Sequence, residues 1–185
     1  MTTVKSWLYF SYGFNMNLTE MRKKCPKAKV VGVGRVAGYR LAFFEHSVVW
    51  DSAMETIFPD PTAEIWGVLY ELNQFEWEEL DCFEDVRMDG TGAYFHYPVE
   101  VIDADRQPKA ASVYLKARWG TGGLPSAEYM NVVIAGAREQ GLPEDYIKHL
   151  QSLETRPAAY AVPKRPSGGS FLVGSGDCSG CDAGL

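Results

Sequence analysis

The 185 residues suffice for one domain with its own core, and a 46% hydrophobic, 13% aromatic composition points to a globular body. A net charge of −6 and an isoelectric point near 5.1 argue against a nucleic-acid-binding face, which needs clustered Lys and Arg. No apolar run approaches the ~20 residues of a membrane span, and residues 1–6 lack the regions of a signal peptide, so a cytoplasmic location is the expectation.

In chain order, residues 7–12 predict a first strand that stops at Tyr12-Gly13. Asn17 has the capping-box spacing to Glu20 and predicts a short helix over 18–24, ended by Pro26. Residues 30–36 and 39–44 predict strands split by Gly38. Residues 55–58 and 65–70 predict two more, separated by the turn signal Pro59-Asp-Pro61. Asn73 predicts a capped helix to about Asp81, with Glu76 at its third position. Residues 93–102 and 111–117 predict strands rich in aromatic and β-branched residues. Ser126 caps a predicted helix over 127–140, with Gly141 past its end and Met130, Val133, Ile134 and Ala137 as its apolar stripe. Pro143 suits the first turn of a last helix, to about Glu154. The order predicts an α+β domain: a small mixed β-barrel or curved sheet with inserted and C-terminal helices. Residues 1–155 form that domain, and residues 156–185 read as an extended Pro/Gly/Ser-rich tail.

Four cysteines are too few and too scattered for a disulfide framework. Cys178-Ser-Gly-Cys181 is a CxxC with no further ligands near it, and reads as free thiols in the tail rather than a metal site. His46, His96 and His149 are isolated and read as surface or satisfied side chains. Trp7, Tyr9, Trp66 and Tyr70 read as core.

Two features carry chemistry. The strand end at Tyr12-Gly13-Phe14-Asn15 gathers backbone N–H groups in one small space, which suits a carboxylate or a developing oxyanion. Taken alone, such a glycine marks only a strand–helix connection. Glu84, between Phe83 and Val86, is part-buried on this reading, although from spacing alone it is a solvated glutamate in an acidic segment.

Several segments together resemble the γ-glutamylcyclotransferases of the AIG2-like superfamily. Tyr9-Phe-Ser-Tyr-Gly-Phe-Asn15 resembles their opening loop, and Ala63-Glu-Ile-Trp-Gly-Val-Leu-Tyr70 a strand of that family. Leu80-Asp-Cys-Phe-Glu-Asp-Val86 is similar to the segment that holds the family's catalytic glutamate. Thr91-Gly-Ala-Tyr94, Ser112-Val-Tyr114, Pro125-Ser-Ala-Glu-Tyr129 and Gly141-Leu-Pro143 resemble further motifs, in the same order. Two positions depart from the pattern: Phe14 stands where the family has serine, and Asp85 where it has glycine.

The resemblance implies conversion of a γ-glutamyl amide to 5-oxoproline and a free amine, without metal or cofactor. Glu84 would be the general base and acid. Tyr9, Phe10, Ser11, Tyr12, Gly13, Phe14 and Asn15, with Tyr94, Tyr114 and Tyr129, would bind substrate. The Phe14 ring would reshape the pocket. Asp85 would either raise the pKa of Glu84 or point into solvent. Hydrolysis to glutamate and a non-catalytic binding role on the same scaffold stay open as alternatives. Some family members pair as dimers, which leaves a homodimer open here. The partner implied is a small γ-glutamyl molecule, with no nucleic acid or membrane.

Overall fold

A computed structural model describes residues 6–164; the Cys178–Cys181 pair lies outside them. Five strands close into a barrel in the order β1-β3-β2-β4-β5. They are β1 (Ser6–Ser11), β2 (Lys29–Ser47), β3 (Ser52–Asn73), β4 (Tyr94–Asp103) and β5 (Pro108–Lys116). Neighbours are antiparallel except β1 and β5, which meet in parallel at Tyr9 and Ser112 and close the ring. Helices α1 (Leu18–Lys24) and α2 (Gln74–Phe83) are inserted between strands, and α3 (Ala127–Glu139) and α4 (Glu144–Ser152) follow them. The α+β barrel expected from the sequence is the fold observed.

Local signals locate the helices. The Asn17 side chain accepts the Glu20 N–H, Asn73 accepts that of Glu76, and Ser126 accepts that of Tyr129. Gly141 has φ 72°, the left-handed conformation of a helix exit. Pro143 precedes α4 rather than lying in its first turn.

The middle strands differ from expectation. Gly38 and Pro59-Asp-Pro61 do not end strands. Two steps along β2, from Ala37 to Tyr39, face five along β3, from Glu64 to Pro59, so the two signals together form one bulge in a continuous hairpin. Gly38 takes the positive φ of 82° that the bend needs. Proline lacks an N–H to donate, and a bulge is where its absence from the ladder is tolerated.

Phe10, Ile57, Ile65, Leu69, Tyr70 and Leu72 are buried to 1% exposure or less and belong to one apolar core on the two faces of the sheet. Each such side chain contributes about 1.5–3 kcal/mol on leaving water. Helix α3 lies across the loop that follows β1. A Cβ on Gly136 would come within 2.4 Å of the Asn17 nitrogen, so this contact requires glycine. Residues 156–164 fold back on the body: Arg156 bridges Ser126 and binds Asp51, and the Lys164 N–H donates to the Val49 carbonyl. Among the described residues no helix is long and apolar enough to cross a membrane.

Candidate active site

Strand β1 delivers the chain to Gly13, and a 3-10 turn over Phe14–Met16 follows at once. Asn15, 5% exposed, braces this turn. Its Nδ2 donates to the Tyr9 hydroxyl and to Glu84 Oε1, both at 3.0 Å. Its Oδ1 accepts from Lys24 Nζ at 2.9 Å, and its carbonyl accepts the Tyr70 hydroxyl at 3.0 Å. Both polar atoms of the Asn15 side chain are thereby satisfied, by Tyr9 and Lys24 nearby in sequence and by Glu84 69 residues on.

Glu84 sits at the C-terminal cap of α2, its N–H donating to the Leu80 carbonyl. A helix C-terminus disfavours a carboxylate. Lys24, in the last turn of α1, offsets this with Nζ 2.9 Å from Glu84 Oε1. Both side chains are mostly enclosed, at 20% and 15% exposure, so the pair is better shielded from salt than an exposed one. Both hydrogen bonds to Glu84, from Asn15 and Lys24, fall on Oε1. Asp85 faces elsewhere. Its carboxylate accepts from Arg87 Nε at 2.8 Å and from the Ala93 N–H, and its φ of 49° accounts for the family's glycine there.

The residue that sequence reasoning missed is Glu55, on β3. Its Oε1 accepts the Phe14 N–H at 2.7 Å, so the cradle donor expected to face a ligand already holds a carboxyl of the chain itself. Gly13 lies flush against this group: a Cβ there would fall 2.1 Å from the Glu55 carboxyl carbon. Glu55 Oε2 is buried and has no hydrogen-bond partner. Burial pushes the Glu55 carboxyl up to about 7, and nearby Glu84 adds to this; the Phe14 N–H, the Tyr129 hydroxyl and Lys24 pull the other way. The only sign in the sequence was a carboxylate inside the mostly apolar run Ala53-Met-Glu-Thr-Ile-Phe58.

Tyr9, Tyr12, Gly13, Asn15, Glu55, Glu84, Tyr94 and Tyr114 line one cleft of about 260 Å³, part of it open to solvent. Phe10 and Ser11 do not line it: Phe10 packs in the core against Gly67, and the Ser11 hydroxyl is buried. Phe14 and Tyr129 lie behind it, their rings stacked at 5.3 Å with Trp50 edge-on to both. Tyr94 donates to the Glu55 carbonyl, and Tyr12 to the Tyr114 carbonyl. Tyr114 donates to Asp81 at 2.7 Å, and Asp81 also holds His96. Burial raises the pKa of Tyr9, Tyr12, Tyr94, Tyr114 and Tyr129, so all five remain neutral donors.

His46 is likewise satisfied, by Asp51. A wider groove of about 710 Å³ between α3 and α4 has Arg138 as its single charged side chain, and it offers no acid–base pair. Among the described residues no group of three His, Cys, Asp or Glu is placed to hold a metal ion.

The AIG2-like family model matches residues 64–150, the stretch that holds Glu84. Human γ-glutamylcyclotransferase is 30% identical over 154 residues, spanning 81% of this chain and 80% of that protein. The bovine γ-glutamylcyclotransferase is 32% identical over 155 residues, with the same coverage. A solved γ-glutamyl cyclotransferase superposes with a TM-score of 0.80 at 28% identity, over 85% of this chain and 94% of that one. The chain belongs to the γ-glutamylcyclotransferase family of enzymes.

Proposed function

We propose that the protein cyclises a γ-glutamyl amide to 5-oxoproline and releases the free amine, with Glu84 as general base and acid. The observation that carries this reading is the Asn15–Glu84 hydrogen bond. It ties the acidic side chain to the turn after β1, at a cleft that both line. The substrate brings its own nucleophile, the α-amino nitrogen, and the enzyme has to fold the γ-glutamyl chain so that this nitrogen meets the γ-carbonyl carbon. Such positioning contributes up to roughly 7–11 kcal/mol in ideal cases.

Lys24 and Asn15 hold Glu84 through one oxygen, which leaves Oε2 to meet the α-amine and then the leaving nitrogen. With the Phe14 N–H held by Glu55, the Gly13 N–H and the Tyr9 hydroxyl, which accepts from Asn15 and keeps its own hydrogen, meet the carbonyl oxygen as charge develops on it.

The test is incubation with γ-glutamyl-alanine and a panel of γ-glutamyl alkyl and aryl amines. 5-Oxoproline is the expected product; free glutamate would mean hydrolysis, and no product would mean a binding role. Glu84→Gln should lower kcat by roughly 10³-fold while preserving the fold. Near-normal turnover by that variant would remove Glu84 from the mechanism.

A further inference from the structure

The cleft holds two carboxyls, and one is left over. Glu84 is anchored by a lysine and an amide, whereas Glu55 has the Phe14 N–H on Oε1, the Tyr129 hydroxyl near its carboxyl, and no donor within hydrogen-bond distance of Oε2. A wholly buried carboxyl oxygen without a donor is costly, and a site that keeps one usually has a use for it. Here the unsatisfied group lines the same cleft as Glu84 and Gly13.

Cyclisation has two protons to move. The α-nitrogen starts as an ammonium and ends as a lactam N–H, so it loses two. The amide nitrogen starts with one hydrogen and leaves as an ammonium, so it gains two. One bond forms, between the α-nitrogen and the γ-carbon. One breaks, between the γ-carbon and the amide nitrogen, and its electron pair departs with that nitrogen. Nothing is oxidised or reduced.

We propose that Glu55 is a second catalytic acid–base group, taking one proton from the substrate's α-ammonium through its unpartnered Oε2 and returning it to the leaving nitrogen while Glu84 carries the other. This rests on the cyclisation proposed above. A donor such as an ammonium is what Oε2 lacks, and accepting it would complete the coordination of the carboxyl. With its carboxyl pushed up to about 7, Glu55 populates both protonation states at neutral pH, as a group that takes and returns a proton must. Two carboxyls in unlike settings thus divide the work. The groups that face Glu55 are the Phe14 N–H from the 3-10 turn, Tyr9 from β1 and Tyr12 just after it, Tyr94 from β4, Tyr129 from α3, Tyr146 from α4, Lys24 from α1 and Glu84 from the end of α2. The tyrosines stay neutral through the pH range in which Glu55 titrates.

The experiment is a pH profile of kcat/KM on whichever γ-glutamyl amide the wild-type protein cyclises, repeated on Glu55→Gln. The wild type should lose rate on the acid side with an inflection near 7. Glu55→Gln should keep KM within a few-fold, lose roughly 10²-fold in kcat and lack that inflection. A merely bracing role would move stability and leave the profile in place. Glu55→Gln retaining kcat within threefold and the same inflection would overturn the proposal, even with Glu84→Gln inactive. A wild-type profile flat from pH 5.5 to 8 would overturn it without any variant, should Glu55→Gln not fold. Wild-type protein that forms no 5-oxoproline from any γ-glutamyl amide overturns the underlying cyclisation, and this proposal with it.

Discussion

Asp51 and Glu55 lie four residues apart around the start of β3, Asp51 buried and Glu55 half-buried with its Oε2 enclosed, and the chain treats them in opposite ways. Asp51 is saturated with donors. Arg156 grips it with both guanidinium nitrogens at 2.9 Å, the Ala159 N–H donates at 2.6 Å, and His46 lies 2.7 Å away. Those contacts hold its carboxyl well below the usual carboxylate range, Arg156 contributing most. Glu55 has the Phe14 N–H on one oxygen and an empty second oxygen, and burial drives it the other way. A buried charge with every lone pair used is a pin; one with a lone pair unused is a cost the fold carries for some other purpose. The pin fastens residues 156–159 to the body. The unpaired group faces the cleft.

The contrast predicts opposite pH dependences of stability. Glu55 goes from an ordinary 4.5 to about 7 on folding, so between those values the native state keeps a proton that the unfolded chain has released. Stability therefore falls as pH rises from about 5 to about 7, by on the order of 3 kcal/mol in all. Glu55→Gln should flatten this slope in urea titrations at pH 5, 6, 7 and 8. An unchanged slope would mean that Glu55 titrates normally.

Asp51 acts in reverse. Its folded carboxyl stays ionised below its ordinary 3.8, so its stabilisation is present above about pH 4 and is lost as the pH falls below that. Asp51→Asn should lower Tm by a few degrees at pH 7, and the difference from wild type should shrink on acidification. Turnover should be unaffected, since neither Asp51 nor Arg156 lines the cleft.

The smallest change probes the contact between cradle and carboxyl. In Gly13→Ala the new Cβ would overlap the Glu55 carboxyl, which has to swing off the Phe14 N–H. The loss of one charge-assisted bond, about 1.5 kcal/mol, should appear as a fall of roughly tenfold in kcat/KM and a displaced Glu55 titration. A Gly13→Ala profile that superposes on wild type would show that the two groups are not coupled.

Much of this was readable along the chain. Asn17, Asn73 and Ser126 capped the helices they were expected to cap, because a cap is a bond to an N–H three residues on. Alternation and β-branching marked the strands of the barrel for the same local reason. Gly38 and Pro59-Asp-Pro61 misled, since a bulge and a turn draw on the same residue types and only the pairing partner distinguishes them. Glu84 and the Tyr12–Asn15 turn were singled out by motif, and the roles expected of the Tyr12–Asn15 N–H groups took no account of a carboxyl already seated there. What tertiary structure alone decided is which side chains meet: Lys24 with Glu84 across 60 residues, Phe14 with Glu55 across 41, Asp81 with Tyr114 across 33. No local spacing encodes those meetings, because they depend on which strands become neighbours when the sheet closes, and burial and its effect on Glu55 exist only after it has closed.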